Sequence, residues 1–256
     1  MKRVSHHGRE VSYRRSARTD DGPGLLCVHG SGGNAGVWKS QSRLADRTPV
    51  TAVDLSDHGE SDALPAQAGY EALSGYAADV VAVAEETGDR VLCGNSLGGA
   101  VAMLVALDRG LDLDGLVLAG TGARLPVLDD LLVWLESDFD RAVEFLHGPD
   151  RLFHDPDEAL VEISEAAMRE TGQAVTARDF RSCHSFDVRE RLAAIDVPTL
   201  AVVGEHDKLT PPHYHEALAE SIPDCELATI DDAAHLAMLE RPAAFNSELA
   251  SFLDRI

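Results

Sequence analysis

The sequence predicts an α/β protein built on a mostly parallel sheet with helices on both faces. Three observations predict it: short apolar runs without polar alternation, helical patterns between them, and glycine or polar residues where the runs end. Unbroken apolar runs are typical of strands that are covered on both faces. Their alternation with helices predicts right-handed crossovers within a single domain that spans residues 1–256.

The predicted elements follow one another along the chain. An N-terminal hairpin is expected to turn near residues 6–8, His-His-Gly, between two short β-prone segments. The other predicted strands are residues 25–28, 50–53, 90–93, 116–119, 199–203 and 226–230. The predicted helices are residues 77–86, 97–109, 213–222 and 243–253. This order is that of a doubly wound sheet.

One segment, from about residue 126 to residue 185, departs from this alternation. Leu128, Leu131 and Leu135 recur at helical spacing, and no run in the segment has the pattern of a strand. The segment follows the carboxyl end of a predicted strand, where ligands bind in open α/β sheets. We therefore interpret it as a helical lid inserted over the site, with ordinary covering helices as the alternative.

The charge balance argues against several classes of partner. The chain has 22 Lys and Arg residues against 44 Asp and Glu residues, for a net charge of -22. Such a field disfavours nucleic acids and anionic membranes as partners. No apolar run approaches the ~20 residues of a membrane span, and the chain begins without a signal-like leader. We expect a cytoplasmic protein that acts on a small-molecule substrate; its oligomeric state is left open.

A serine lies where a nucleophile is expected in this architecture. Residues 94–99, Gly-Asn-Ser-Leu-Gly-Gly, fit the G-x-S-x-G pattern between a predicted strand and a predicted helix. The strand-to-helix turn is tight, and Gly94 and Gly98 remove side chains that would clash there. We predict Ser96 as the nucleophile. The alternative is a glycine-rich structural turn in which Ser96 caps the helix.

A second glycine-rich loop is predicted to stabilise an oxyanion. Residues 29–33, His-Gly-Ser-Gly-Gly, follow the strand 25–28. In this architecture one oxyanion N–H comes from the residue after the nucleophile, here Leu97, and the other from this loop. We select Ser31 for the second donor. His29 is interpreted as a structural loop residue.

The base and its orienting acid are predicted after the last two strands. Asp207 follows the strand 199–203 and is the preferred acid, with Glu205 as its local competitor. His235 follows the strand 226–230 and precedes the last helix. The chain order Ser96, Asp207, His235 is the order expected for a nucleophile, acid and base on this kind of sheet.

These residues resemble the α/β-hydrolase superfamily of serine hydrolases, from about residue 25 to the C-terminus. Residues 54–61, Asp-Leu-Ser-Asp-His-Gly-Glu-Ser, look like the superfamily segment D-x-x-G-H-G-x-S, with Asp57 where glycine is usual. The resemblance implies the α/β-hydrolase fold with an eight-stranded, mostly parallel sheet. It also implies a carboxylesterase that uses an acyl-enzyme and needs no cofactor or metal.

The resemblance leaves other activities open. An aspartate at position 96 would suggest a haloalkane dehalogenase or an epoxide hydrolase, and Ser96 argues against both. Carbon–carbon bond hydrolases share the G-N-S-x-G-G turn but usually carry an aromatic residue after the histidine, where this chain has Leu236. Thioesterase and lactonase activity remain alternatives. An alternative of another class is a non-catalytic ligand-binding protein on the same fold.

Four further residues are candidates for the substrate pocket: Trp38, His184, Phe186 and Leu236. Trp38 follows the oxyanion loop and has packing as its alternative role. His184 and Phe186 end the inserted segment. The histidines at positions 206, 213 and 215 are close in sequence, but a metal site needs several convergent ligands, and we assign none.

The acidic excess yields a prediction about salt. It is spread along the whole chain, and we attribute it to adaptation to a high-salt cytoplasm; an acidic enzyme of ordinary habitat is the alternative. We expect the denaturation midpoint to rise through a KCl series, because salt screens repulsion among the carboxylates. Equal stability and activity without salt would contradict this hypothesis.

Overall fold

The computed structural model, which describes residues 1–256, contains one sheet of eight strands. In chain order they are β1 (Lys2–His6), β2 (Arg9–Ser16), β3 (Leu25–Val28), β4 (Val50–Val53), β5 (Val91–Asn95), β6 (Gly115–Ala119), β7 (Thr199–Gly204) and β8 (Cys225–Ile230). Their order across the sheet is β1-β2-β4-β3-β5-β6-β7-β8. Strand β2 runs antiparallel to both its neighbours, and all other pairs are parallel. The prediction of a mostly parallel, eight-stranded sheet is confirmed.

Helices occupy most of the connections. The α-helices are α1 (Tyr70–Thr87), α2 (Leu97–Asp108), α3 (Asp129–Ser137), α4 (Phe139–Leu146), α5 (Glu158–Thr171), α6 (Gln173–Ser185), α7 (Pro212–Ser221), α8 (Ala237–Glu240) and α9 (Pro242–Leu253). Two 3₁₀ helices, Ala35–Asp46 and Arg189–Ala194, complete the set. None of these helices is both long enough and apolar enough to span a bilayer.

Four helical features differ from the prediction: the start of α1 and three helices that were not predicted, Ala35–Asp46, Arg189–Ala194 and α8. Helix α1 begins at Tyr70 rather than at residue 77, directly after Gly69 with its φ of +100°. Its first turns bury Leu73 and Tyr76, which extends the apolar stripe toward the N-terminus. The 3₁₀ helix Ala35–Asp46 was not predicted, because polar residues are interspersed among the five residues that it buries and the apolar pattern of a helix is weak there.

The apolar runs bury both faces of the sheet, which explains why they lack polar alternation. In β3, Leu26 and Val28 face one core, which also holds apolar residues of α1 and α2. Leu25 and Cys27 face a second core, shared with α9 and the first 3₁₀ helix. Successive side chains of a strand point to opposite faces, so a strand between two cores must be apolar at every position.

The segment of residues 126–185, called the inserted segment below, lies between β6 and β7 and carries α3 to α6. It is helical, as its leucine spacing predicts. An isolated bridge between Arg124 and Asp187 joins the two chain ends that flank it. The loops that follow β3, β5, β7 and β8 all leave the carboxyl edge of the sheet, because these strands are parallel. The predicted site residues lie in these loops.

Candidate active site

Ser96 lies in the turn between β5 and α2, in a backbone conformation that residues with side chains rarely adopt. Its φ is 55° and its ψ is -116°, a strained conformation that costs about 1–3 kcal/mol and persists only where its surroundings enforce it. A β-carbon at Gly94 would lie 2.2 Å from the Gly98 carbonyl oxygen, and one at Gly98 would lie 2.3 Å from the Val28 carbonyl oxygen. The turn therefore requires glycine at both positions. The Ser96 side chain caps no amide of α2, so the N-cap interpretation has no support.

Asp207 and His235 form a buried hydrogen bond between the loops after β7 and β8. Nδ1 of His235 lies 2.9 Å from Oδ2 of Asp207. The other oxygen, Oδ1, accepts the backbone N–H groups of Leu209 and Thr210 at 2.8 Å each. The Thr210 hydroxyl donates to Oδ2 at 2.8 Å. Every contact of this carboxylate is therefore with a donor.

These contacts set the charge of Asp207 and the tautomer of His235. Burial by itself would raise the pKa of Asp207, but His235 and the hydrogen bonds from Thr210 bring that pKa below its usual value. The carboxylate is therefore ionised and accepts a hydrogen bond from the N–H group at Nδ1 of the imidazole. Nε2 is then left with its lone pair, which suits a general base.

Glu205, the alternative acid, does not contact His235. Its side chain is exposed, and Oε2 accepts the backbone N–H of Asp232 at 3.4 Å. The same oxygen lies 3.6 Å from Nε2 of His206. Glu205 and Asp207 are two residues apart, yet only Asp207 is turned toward His235.

The residue before the serine fixes the backbone of the histidine loop. Nδ2 of the buried Asn95 donates to the carbonyl oxygen of His235 at 3.2 Å and to that of Ala119 at 3.2 Å. A β-carbon at Gly120 would lie 2.9 Å from Asn95 Nδ2 and 3.2 Å from His235 Nδ1. The chain around Ser96 and the chain around His235 are thus in direct contact.

The inserted segment also holds the acid and histidine loops through backbone hydrogen bonds. The carbonyl oxygen of Asp150 accepts from Lys208 at 2.9 Å, and that of Arg151 accepts from His235 at 3.2 Å. Leu152 accepts from Leu236 at 3.0 Å. Three consecutive carbonyl groups of the insertion therefore anchor residues at or next to the predicted acid and base.

Two backbone amides near Ser96 have no partner in the protein. Leu97 is the first residue of α2, where an N–H group has no acceptor within its helix. Ser31 lies in the turn after β3, and its N–H donates no hydrogen bond to the chain. A β-carbon at Gly30 would lie 3.1 Å from the β-carbon of Ser96, so the glycine-rich loop runs beside the serine. Unpaired amides in this arrangement can hold a developing negative charge.

His29 is occupied by backbone groups at both ring nitrogens. Nε2 accepts the N–H of Leu55 at 3.1 Å, and Nδ1 lies 2.9 Å from the carbonyl oxygen of Gly30. Burial lowers the pKa of His29 to about 3, with a further contribution from His58. The ring is neutral and supports the loop, in agreement with its predicted structural role.

A cavity of about 700 Å³ opens beside these groups. Its wall includes Ser96, His235 and Ser31, and more than half of its residues are hydrophobic. Lys208 and Glu170 also line it. Its apolar wall comes largely from the inserted segment, through Leu128, Leu131, Phe145, Leu152, Leu160, Ile163, Met168 and Phe180. Its size and lining are typical of a small-molecule site.

Of the four predicted pocket residues, the structure places only Leu236 in the cavity wall. Trp38 is 1% exposed and packs against Phe245, because its 3₁₀ helix turns that face toward the core. His184 is exposed at the end of α6, with its ring against the backbone of Val127. Phe186 is fully buried in the core beside α1 and α2. The predictions that these three line the pocket are wrong.

Several residues that shape the site were missed. Asn95 and Thr210 lie within or next to predicted motifs, and their polar side chains at strand ends could have identified them. Asp179 and Thr171, both in the inserted segment, bind Gly32 of the glycine-rich loop that is predicted to stabilise an oxyanion. Nothing in the sequence distinguishes these two from surface residues of a polar helix.

The three neighbouring histidines do not converge on a metal site. His215 is buried, and its Nε2 accepts a backbone N–H at 3.0 Å. His206 instead lies with Glu205 and Asp232, with ligand atoms of the three within 4.8 Å of one another. Two of these three residues are exposed, and no buried partner orients them as metal ligands usually require.

Comparisons with known proteins agree with the fold. Residues 25–248 match the model of the "Alpha/beta hydrolase family". A protein of Azorhizobium caulinodans, provisionally named carbamate hydrolase RutD, is 30% identical over 253 residues and covers 92% of each chain. A pimeloyl-(acyl-carrier protein) methyl ester esterase of Neisseria meningitidis serogroup B is 29% identical, over 90% of this chain and 92% of that protein. A solved structure of a thermophilic esterase is 32% identical, covers 99% of this chain and 97% of its own, and superposes with a TM-score of 0.85.

The buried position of Phe186 in the core leads to a prediction about stability. Phe186→Ala is expected to lower the free energy of unfolding by about 3–5 kcal/mol, because it leaves a cavity in the core. His184→Ala, two residues away and exposed, is expected to change it by less than about 0.5 kcal/mol. Urea denaturation measures both. A Phe186→Ala protein of unchanged stability but altered substrate preference would instead restore this residue to the pocket.

Proposed function

The chain belongs to the alpha/beta hydrolase family, and on that premise we propose that it is a serine hydrolase that cleaves small carboxylic esters through an acyl-enzyme. One observation carries the proposal. One largely apolar cavity is lined by Ser96 in its strained turn, by His235 and by Ser31, whose backbone N–H is unpaired. The buried carboxylate of Asp207 is hydrogen-bonded to His235. A general base beside a hydroxyl is what converts a weak nucleophile into an effective one.

The first half-reaction forms the acyl-enzyme. The Ser96 hydroxyl attacks the ester carbonyl carbon, and Nε2 of His235 takes the hydroxyl proton. The carbonyl oxygen becomes an oxyanion that accepts hydrogen bonds from the N–H groups of Ser31 and Leu97. Asp207 keeps the His235 tautomer and stabilises the imidazolium. The tetrahedral intermediate collapses, and His235 returns the proton to the departing alcohol.

The second half-reaction releases the acid. A water molecule gives a proton to His235 as its oxygen attacks the acyl carbon. The same two amides hold the second oxyanion. Collapse of this intermediate breaks the bond to Ser96, and the proton on His235 returns to the serine oxygen. No metal or cofactor takes part in this sequence of steps.

The lining of the cavity favours a substrate with an uncharged, apolar acyl group. Its wall is mostly aliphatic and aromatic, and its only charged side chains are those of Lys208 and Glu170. Lys208 is already paired with Asp150 at 2.6 Å. The net charge of -22 disfavours anionic substrates at long range. The inserted segment acts in this proposal as a cap that gives the acyl group its apolar surroundings. Two similar proteins are named esterases, which agrees with this substrate class.

The nucleophile is tested by Ser96→Ala. We expect hydrolysis of p-nitrophenyl butyrate to fall by about 10⁴-fold or more, because the substitution removes the hydroxyl on which the acyl-enzyme is proposed to form. Wild-type protein should also be labelled on Ser96 by a fluorophosphonate probe. Ser137→Ala, at an exposed position near the end of α3, is the matched control and should keep wild-type rates.

Retained turnover by the folded Ser96→Ala protein would refute the assignment. A wild-type protein that folds, binds apolar ligands and is not labelled at Ser96 would favour a binding protein on the same fold.

The orienting acid is tested by Asp207→Asn against Glu205→Gln. Oδ1 of Asp207 accepts two backbone N–H groups, so the amide oxygen of asparagine takes that place and its NH₂ turns toward His235. Nδ1 must then accept, which puts the imidazole proton on Nε2 and disables the base. We expect kcat to fall by about 10³–10⁴-fold.

Glu205→Gln changes the neighbouring exposed carboxylate and should leave kcat within about twofold of wild type. A large loss in this variant, with Asp207→Asn near wild type, would reassign the acid.

A further inference from the structure

Gly32 follows the proposed oxyanion donor Ser31, and both of its backbone polar groups are hydrogen-bonded to the inserted segment. Its N–H donates to Oδ2 of Asp179 on α6 at 3.2 Å. Its carbonyl oxygen accepts from the Thr171 hydroxyl at the end of α5 at 3.1 Å. Gly32 has a φ of +68°, and a β-carbon there would lie 3.1 Å from the Met168 side chain. The insertion therefore fixes the backbone of the oxyanion loop as well as covering the cavity.

Asp179 is a fully buried carboxylate with three donors. Besides Gly32, its Oδ1 accepts from the Tyr76 hydroxyl at 2.6 Å, and its Oδ2 lies 2.9 Å from Nε2 of His58. A buried carboxylate is stable only when its charge is compensated in this way. None of its partners belongs to α6, so the residue joins the insertion to α1, to the loop after β4 and to the oxyanion loop.

The hydrogen-bond pattern makes His58 a cation. Its Nδ1 lies 3.0 Å from the carbonyl oxygen of Ser56, and its Nε2 faces Asp179. Both partners are acceptors, so both ring nitrogens carry protons. Burial would lower the pKa of His58, but Asp179 more than offsets this and raises that pKa above its usual value. The two form a buried imidazolium–carboxylate pair.

A second ion pair joins α6 to the loop after β4, which also carries His58. Arg178 lies 2.7 Å from Oδ2 of Asp57, and both side chains are mostly buried. Asp57 has a φ of 68°, which explains why the resembling families carry glycine there. An aspartate in this left-handed conformation is strained, and the contact with Arg178 offsets the strain. Consecutive residues of α6 thus hold consecutive residues of the loop after β4.

We propose that Asp179 is a positioning residue of the oxyanion hole, which orients the Ser31 amide by holding the N–H of Gly32. The assignment rests on the proposed serine hydrolase function. The N–H of Gly32 belongs to the peptide group that joins Ser31 to Gly32. Rotation of this group changes the backbone dihedral angles of Ser31 and thereby the direction of the Ser31 N–H. Asp179 does not line the cavity, so its effect reaches the substrate only through the loop. The inserted segment is in this respect part of the catalytic scaffold.

The test compares ligands that do and do not develop an oxyanion. An alkyl trifluoromethyl ketone adds Ser96 at its carbonyl carbon: the serine proton passes to His235, and the carbonyl oxygen becomes an anion in the oxyanion hole. The methyl ketone of the same chain length fills the same cavity without this addition. In Asp179→Asn we expect the trifluoromethyl ketone affinity and kcat/KM for p-nitrophenyl butyrate to fall together by about 10- to 100-fold. The methyl ketone affinity should change by less than about twofold, since its binding needs no oriented amide.

Arg181→Gln is the matched control. Arg181 lies on the same helix, is half exposed and pairs with Glu136 at the surface. It should leave both affinities and kcat/KM unchanged. Thr171→Val is the second variant, because it removes the other contact to Gly32 while the buried ion pair stays intact. It should lower the trifluoromethyl ketone affinity by at least about threefold, with the methyl ketone unaffected.

The outcomes separate the two proposals. If wild type forms no adduct with the trifluoromethyl ketone at Ser96, the serine hydrolase function fails and this assignment fails with it. If wild type forms the adduct and folded Asp179→Asn binds both ketones as wild type does, or loses both equally, the positioning role alone is overturned. If Asp179→Asn does not fold, by circular dichroism and thermal denaturation, an unchanged ketone ratio in Thr171→Val overturns it.

Discussion

The turn at Ser96 is the constraint on which the rest of the site depends. A strand and a helix meet there so closely that a β-carbon at position 94 or 98 would overlap backbone atoms. The serine is held at a φ of 55°, and this strain persists because β5 and α2 are both buried in the cores. The same closeness leaves the Leu97 N–H without an acceptor and brings Gly30 next to the serine. One packing solution thus exposes a hydroxyl and places backbone amides around it.

Parallel strands bring the remaining groups to this turn. The loops after β3, β7 and β8 reach the same edge of the sheet, so residues more than a hundred positions apart become neighbours. Asn95 is the link between two of these loops, since it donates to the carbonyl oxygen of His235. The hydrogen bond that His235 donates from Nδ1 to Asp207 then leaves Nε2 without a proton. The arrangement is built from backbone contacts as much as from the reactive side chains.

The inserted segment has a larger structural role than that of a simple cover. Residues 150–152 bind the loops that carry Asp207 and His235, and Asp179 and Thr171 bind Gly32 in the loop after β3. Each of these contacts is with the main chain of a loop that carries a predicted site residue. These contacts disfavour large movements of the part of the insertion that lies against the sheet, because such a movement would break backbone hydrogen bonds at several loops together. Leu128 and Ile163, by contrast, line the cavity and are more than half exposed, so we expect a ligand to enter beside them.

Sequence patterns were enough to predict the parallel sheet, the bounds of its six later strands within one or two residues, and the order of the serine, acid and histidine motifs. They were enough because unbroken apolar runs and glycine-rich turns are local consequences of burial and backbone sterics. The identity of the side chains that line the cavity could be read only from the folded chain. Trp38 and Phe186 are apolar residues near the site in sequence, and helix orientation turns both into the core. Asp179 shows the converse: a charged residue in a polar helix becomes fully buried because its partners come from three other parts of the chain. Such long-range compensation leaves no pattern in the sequence around it.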